Sequence, residues 1–255
     1  MNKYTITDSF NKYFYVIPAN SAPLREIVYR IRYQVYCREF HYEREEDCPG
    51  QMEQDDYDAQ AQHCLLVHRP SNAPVGCLRL IGPQKDDPST PLPFQRYCKN
   101  SLSYDSFDLG ALPQDSFGEV SRLAVLAAFR RRQTDEKKPI TLPGEDIHST
   151  VDGRHSFPFI PVSLFLAGLS LFLTSNLHCA FAMMEPRLAR LLKRFGITFI
   201  QVGDVVDYHG FRGPFMYPRE GTLANLTPEV QALLQLIDQQ LTEGRTDALA
   251  INKLQ

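Results

Sequence analysis

The sequence predicts an α/β fold: a mixed, mostly antiparallel central sheet with helices on both faces. Three observations predict it. Residues 63–68 (His-Cys-Leu-Leu-Val-His) and 74–81 are apolar runs joined by a turn containing Pro70 and Asn72, as in an antiparallel hairpin. Residues 117–125 (Phe-Gly-Glu-Val-Ser-Arg-Leu-Ala-Val) alternate like a further strand. An apolar stretch over 162–173 then precedes another strand over 178–184, as a buried crossover helix would. A hairpin, a strand, a crossover and a strand require one sheet with antiparallel and parallel neighbours, covered by helices on each side.

Taken in order, residues 12–17 read as a first strand, ended by Pro18. Ser21 or Asn20 caps a helix with Pro23 in its first turn and Leu24, Ile27, Val28, Ile31 and Val35 at helical spacing. Arg25 and Arg30 on this helix read as solvated. Residues 40–58 are charged and aromatic, too polar for a core of their own, and must lie on the rest of the domain. Residues 82–115, rich in Pro, Asp and Ser, form a long connection with at most a short helix over 94–99. Residues 133–156 lack periodicity and read as an exposed insertion. A helix over 186–195 is closed by Gly196, strands follow at 197–202 and 215–217, and an amphipathic helix starts at Thr227. The expected organisation is one domain over 1–222 with a C-terminal helix and tail over 223–255.

The 255 residues suffice for a single large core, and a net charge of −3 gives no reason to expect nucleic acid. Cys37, Cys48, Cys64, Cys77, Cys98 and Cys179 include no CxxC pair, which suits reduced thiols. With no secretory-type apolar run at the N-terminus, the expectation is a cytoplasmic protein. The apolar stretch over 162–173 falls short of the ~20 residues that cross a bilayer. It is expected to be a buried helix, with peripheral contact with a membrane surface left open. The histidines show no ligand spacing, so no metal is expected.

Chemistry concentrates on the 117–125 strand. Glu119, Ser121 and Arg122, on a strand covered on both faces, form either a satisfied buried network or a reaction centre. Arg79, in an otherwise apolar strand, needs carboxylate partners, for which Asp55, Asp58 and Glu119 are the candidates. The acidic cluster Glu53, Asp55, Asp56 and Asp58 would also welcome a cation or an ammonium-bearing substrate.

Four pieces of sequence fit one family in order and approximate spacing: Arg32-Tyr-Gln-Val-Tyr36 with Tyr42 beyond it, Glu53-Gln-Asp55-Asp-Tyr-Asp58, Gly76-Cys-Leu-Arg79-Leu, and Glu119-Val-Ser121-Arg122-Leu-Ala-Val. Together they resemble the signature of the acyl-homoserine-lactone (autoinducer) synthases, divergent members of the GNAT acyltransferase superfamily. The resemblance covers residues 25–125 and implies a GNAT-like fold. Tyr36 stands where phenylalanine is usual and Tyr42 where tryptophan is usual. These departures turn the resemblance toward N-acyl amino acid synthases and the acyltransferases that accompany exosortase (PEP-CTERM) systems.

The resemblance implies transfer of a fatty acyl group from a thioester to an amine. That reaction needs a base for the amine proton and donors for a tetrahedral oxyanion. Glu119 is the candidate base, with Ser121 beside it as a minor nucleophile candidate. Arg32, Tyr36, Tyr42, Asp55, Asp58, Arg79 and Arg122 are the candidate substrate-binding set, the Asp and Arg members alternatively being a buried scaffold. Coenzyme A-dependent members of the superfamily carry a glycine-rich loop after the central strand, where its amides hold pyrophosphate. Here that place reads Ala127-Ala-Phe-Arg-Arg-Arg132-Gln, without glycine. The implied donor is therefore acyl carrier protein rather than acyl-CoA, docked on Arg130, Arg131 and Arg132. No cofactor is expected. The alternatives are an acyl-homoserine-lactone synthase using S-adenosylmethionine and a non-catalytic GNAT-fold module that binds lipid or a partner.

Overall fold

The computed structural model describes residues 5–102, 107–130 and 160–244. The chain begins with a helix that the sequence reading missed, α1 (Ile6–Tyr13), ahead of a shorter strand β1 (Phe14–Pro18). Its start is a capping box: Thr5 Oγ1 accepts from the Asp8 N–H and Asp8 Oδ2 accepts from the Thr5 N–H, each at 3.1 Å. Then come α2 (Ala22–Arg32), β2 (Gln62–His68), β3 (Ala73–Ile81), α3 (Pro93–Tyr97) and β4 (Phe117–Val125). The second half supplies α4 (Ile160–Thr174), β5 (Cys179–Met184), α5 (Pro186–Arg194), β6 (Ile200–Gln201), β7 (Val206–Asp207), β8 (Phe211–Pro218) and α6 (Pro228–Glu243).

The sheet runs β1-β2-β3-β4-β5-β8-β6, with β7 paired to β8. Every pairing is antiparallel except β4 with β5. This is the mixed, mostly antiparallel GNAT-like sheet expected. Alternation along the strands divides two layers. Tyr15, Ile17, Leu65 and Val67 pack with Leu24, Ile27, Val28 and Ile31 of α2. Val16, Cys64, Leu66, Leu78 and Leu80 pack on the other face with α1, α4, α5 and α6.

Helix α4 is apolar all round because it is covered all round: every residue from Ile160 to Phe172 is buried. It lies between the sheet and α6, and Ser170 Oγ donates to Asp238 Oδ1 at 2.6 Å. That burial leaves it no apolar face to offer a membrane, and no described helix is long and apolar enough to cross one. Close fit to the sheet is allowed by Gly168, where an added Cβ would come within 2.8 Å of Leu78 Cδ2. Helix α6, capped by Thr227, buries Val230, Leu233, Leu234, Ile237 and Leu241 in the same core as α4. The strand expected over 197–202 shrinks to two residues, whereas the one at 215–217 extends back to Phe211. The expected insertion over 133–156 lies outside the described residues.

Candidate active site

Strands β4 and β5 pair only at Phe117–Cys179, Gly118–Ala180 and Glu119–Phe181, and then part. Beyond that point β4 also bulges away from β3, with the register slipping between Cys77 and Arg79 and Arg122 held at φ 54°. Tyr36 pins the bulge by donating its hydroxyl to the Leu123 carbonyl at 2.8 Å. Tyr36 belongs to a π-helical turn, Tyr33–Glu39, that continues α2. Its own carbonyl accepts from the N–H groups of Tyr42 and Glu43, so the same turn aims the acidic segment over the gap.

The gap is a cleft of about 930 Å³, counting its open mouth. Val120, Leu123, Phe165, Ala182, Met184 and Leu188 make an apolar wall, and Tyr42, Glu43, Glu119, Arg122, His209 and Arg212 supply a polar side. Glu119 is 3% exposed. Its Oε2 accepts from the Phe94 N–H at 2.8 Å, and no described arginine or lysine ion-pairs with it. Phe94 in turn stacks on Phe181 at 4.5 Å between ring centres and contacts Phe117. Burial in these rings pushes the Glu119 carboxyl up to about 7, against the opposing pull of the Phe94 N–H.

Behind the cleft lies a buried ionic network. Arg32 donates to Glu53 and, at 2.6 Å, to Asp58. Arg79 makes a two-pronged pair with Asp55 at 2.6 and 2.8 Å, reaches Asp58 at 2.5 Å and donates to Ser121 Oγ at 3.1 Å. Arg122 closes the network through Glu53 at 3.1 Å and Asp55 at 3.3 Å, with Glu43 at 3.5 Å. Burial alone would raise Glu53, Asp55 and Asp58, but the arginines hold all three below the usual carboxylate range. His63, beside Asp58, is desolvated and drops to about 4.

The predicted site residues thus divide. Glu119, Ser121, Arg122, Tyr36 and Tyr42 line the cleft; Arg32, Asp55, Asp58 and Arg79 do not, and they brace the β4 segment that carries the others. Glu119 is not a partner of Arg79, whose guanidinium is taken up by Asp55, Asp58 and Ser121. Ser121 accepts from Arg79 and contacts no imidazole among the described residues, leaving it without a base for a nucleophilic role. Arg130 turns inward, pairing with Glu39 and lying over the Phe40 ring, rather than presenting its charge to a carrier protein. Arg131 and Arg132 lie outside the described residues.

Sequence reasoning missed Glu43, Phe94, Tyr208, His209 and Arg212, all of which line the cleft. Tyr208 and His209 sit on the turn between β7 and β8, where the Tyr208 N–H donates to the Gly210 carbonyl at 3.0 Å, and Arg212 follows on β8. A Tyr-His-Gly turn between two-residue and longer strands was the available signal. The His209 ring lies 5.0 Å from Tyr42. Burial lowers its pKa below the ordinary imidazole value. No group of described residues could hold a metal ion.

Residues 31–137 match the family described as acetyltransferase (GNAT) domain. Among solved structures, the chain is similar to TofI in a ternary complex with an inhibitor and MTA, at 17% identity and a TM-score of 0.57 over 85% of this chain and 98% of that one. It is also similar to FeeM, an N-acyl amino acid synthase from uncultured soil microbes, at 13% identity and 0.51 over 86% and 97%. BjaI, a CoA-dependent acyl-homoserine lactone synthase with SAM and isopentyl-CoA, aligns at 18% and 0.53 over 93% and 97%. No curated protein matches the chain by sequence.

Proposed function

From the premise of a GNAT acyltransferase domain, we propose that the protein is an N-acyltransferase that moves a fatty acyl group from acyl carrier protein to the amine of an amino acid or similar small acceptor. The observation that carries this reading is Glu119: a buried carboxyl poised at about 7, beside an apolar wall, where β4 and β5 part. A base for an amine wants a pKa near the working pH, and a neighbouring arginine would have forced it far lower.

The acyl chain lies along Val120, Phe165, Ala182 and Leu188, with the thioester carbonyl level with Glu119. The acceptor nitrogen attacks that carbonyl and passes its proton to Glu119, directly or through water. Backbone N–H groups of β4, freed from β5 beyond Glu119, receive the oxyanion. Collapse of the tetrahedral centre breaks the C–S bond, and the leaving thiolate takes a proton to become the carrier thiol. The glycine-free sequence after β4 supports the carrier protein as donor. The fold itself is compatible with either donor, since BjaI is CoA-dependent.

The test is incubation of the purified protein with acylated carrier protein or acyl-CoA and a pool of amino acids, with mass-spectrometric detection of the amide. Amide formed from the carrier-bound donor supports the reading. Acyl lactone appearing only with S-adenosylmethionine would replace it with a lactone synthase, and acyl-chain binding without product would leave a non-catalytic module.

A further inference from the structure

The cleft contains two guanidinium groups, and only one of them is neutralised. Arg122 is shared among Glu43, Glu53 and Asp55. Arg212, half-buried on β8 at the polar side of the same cleft, ion-pairs with no carboxylate among the described residues. Its guanidinium lies over the Tyr42 ring, 5.6 Å from the centroid, a contact that orients the group without discharging it. The strand holds it in place: Arg212 pairs with Val206 across the β7–β8 hairpin.

We propose that Arg212 binds the carboxylate of the acyl acceptor, and hence that the acceptor is a free amino acid rather than a simple amine, amide or lactone. This deepens the N-acyltransferase reading and rests on it. An acceptor anchored through its carboxylate on Arg212 has its nitrogen a short covalent distance away, on the side of the cleft that holds Glu119 and Glu43. An ammonium arriving there meets the Glu43 carboxylate, 35% exposed, loses one proton to solvent to become the nucleophilic amine, and passes a second to Glu119 as it attacks. A dianionic phosphate fits the same place poorly, because Glu43 would repel it, whereas a zwitterion matches both charges. Tyr42, His209 and Tyr208 continue as a run of tilted rings, 5.0 and then 4.6 Å apart, and offer an aromatic wall to the acceptor's side chain.

The experiment compares L-phenylalanine with 2-phenylethylamine and L-phenylalaninamide, and L-leucine with 3-methylbutylamine, on the full-length protein and on Arg212→Met and Arg212→Lys. Calorimetric binding is measured alongside amide formation from acylated carrier protein, and thermal melting reports folding. The wild type is expected to bind and turn over the amino acids roughly 10- to 100-fold better than the analogues lacking the carboxylate. Arg212→Met should erase that preference mainly through KM, with Arg212→Lys in between and the melting temperature unmoved. Equal use of amine and amino acid by the wild type, or an undiminished preference in Arg212→Met, would overturn the proposal while amide formation itself stood. Carboxylate-dependent binding lost in Arg212→Met, with no amide from any donor, would uphold the subsite and remove the transferase reading. No binding and no turnover of any probe would overturn both.

Discussion

The backbone N–H of Phe94 donates to the Glu119 carboxylate at 2.8 Å, and it is the hydrogen bond that holds this buried group where no cation does. The arrangement separates Glu119 from the three carboxylates behind it. Glu53, Asp55 and Asp58 face arginines and stay ionised; Glu119 faces rings and one amide dipole, and its pKa climbs to about 7. Environments that push neighbouring carboxylates apart assign them different tasks, here anchoring and proton transfer.

Glu119→Gln should lower amide formation by about 10²- to 10⁴-fold, the range for loss of a general base, with an unchanged circular dichroism spectrum. For a base that works deprotonated, kcat/KM should rise with pH through about 7 in the wild type. Stopped-flow measurement of thiol release across pH checks both.

The same carboxyl makes stability depend on pH with a sign opposite to that of the ionic network. Its folded pKa, about 7, lies above the ordinary glutamate value of 4.5, so the folded state holds the proton more tightly and its contribution is lost as pH rises through about 7. The separation corresponds to on the order of 3 kcal/mol. Wild type should therefore lose stability relative to Glu119→Gln between about pH 4.5 and pH 7, as read by denaturant titration at each pH.

Much of the fold was legible because period and punctuation carried it. The 63–81 hairpin, the Phe117–Val125 strand and the buried helix appeared within a few residues of where they stand. Helix α1 is not legible although Thr5 and Asp8 mark its start, since the aromatic and β-branched run from Tyr13 to Ile17 carries strand propensity back into its last turn. In the site, Glu119 and Arg79 were legible as polar residues out of place in apolar strands, Asp55 and Asp58 as members of an acidic cluster able to pair with arginine, and Arg32 through its motif. Arg212 and His209 were not, because exposed hairpin ends carry such residues routinely and only the fold brings them beside Tyr42. The role of Phe94 rests on its N–H, which no side-chain pattern encodes.

The ionic network should behave as scaffold. Arg32→Met or Arg79→Met removes one cation from a buried network, leaving Asp58 with a single arginine, and should cost about 3–5 kcal/mol in chemical denaturation. Glu53, Asp55 and Asp58 have depressed folded pKa values, so their share of stability is present above the ordinary carboxylate range and disappears as pH falls below it. His63, neutral when folded down to about 4, adds a loss that begins near the ordinary imidazole value of 6.5. Acid titration of wild type should show stability falling from about pH 6.5 downward, a first step that His63→Asn removes.

Leu188 sits on the apolar wall of the cleft and is 3% exposed. Leu188→Phe should cost about 1–3 kcal/mol by overpacking and shift donor preference toward shorter acyl chains. Competition between short- and long-chain acylated carrier proteins, read by product mass, checks the shift.

The central claim is that Glu119 takes the proton from an attacking amine, and single-turnover amide formation from acylated carrier protein, followed across pH in wild type and Glu119→Gln, tests it most directly. The expected result is a wild-type rate that climbs through an apparent pKa of about 7, and a variant that is slow and has lost that rise. A folded Glu119→Gln variant forming amide at the wild-type rate, with the same pH profile, would contradict it.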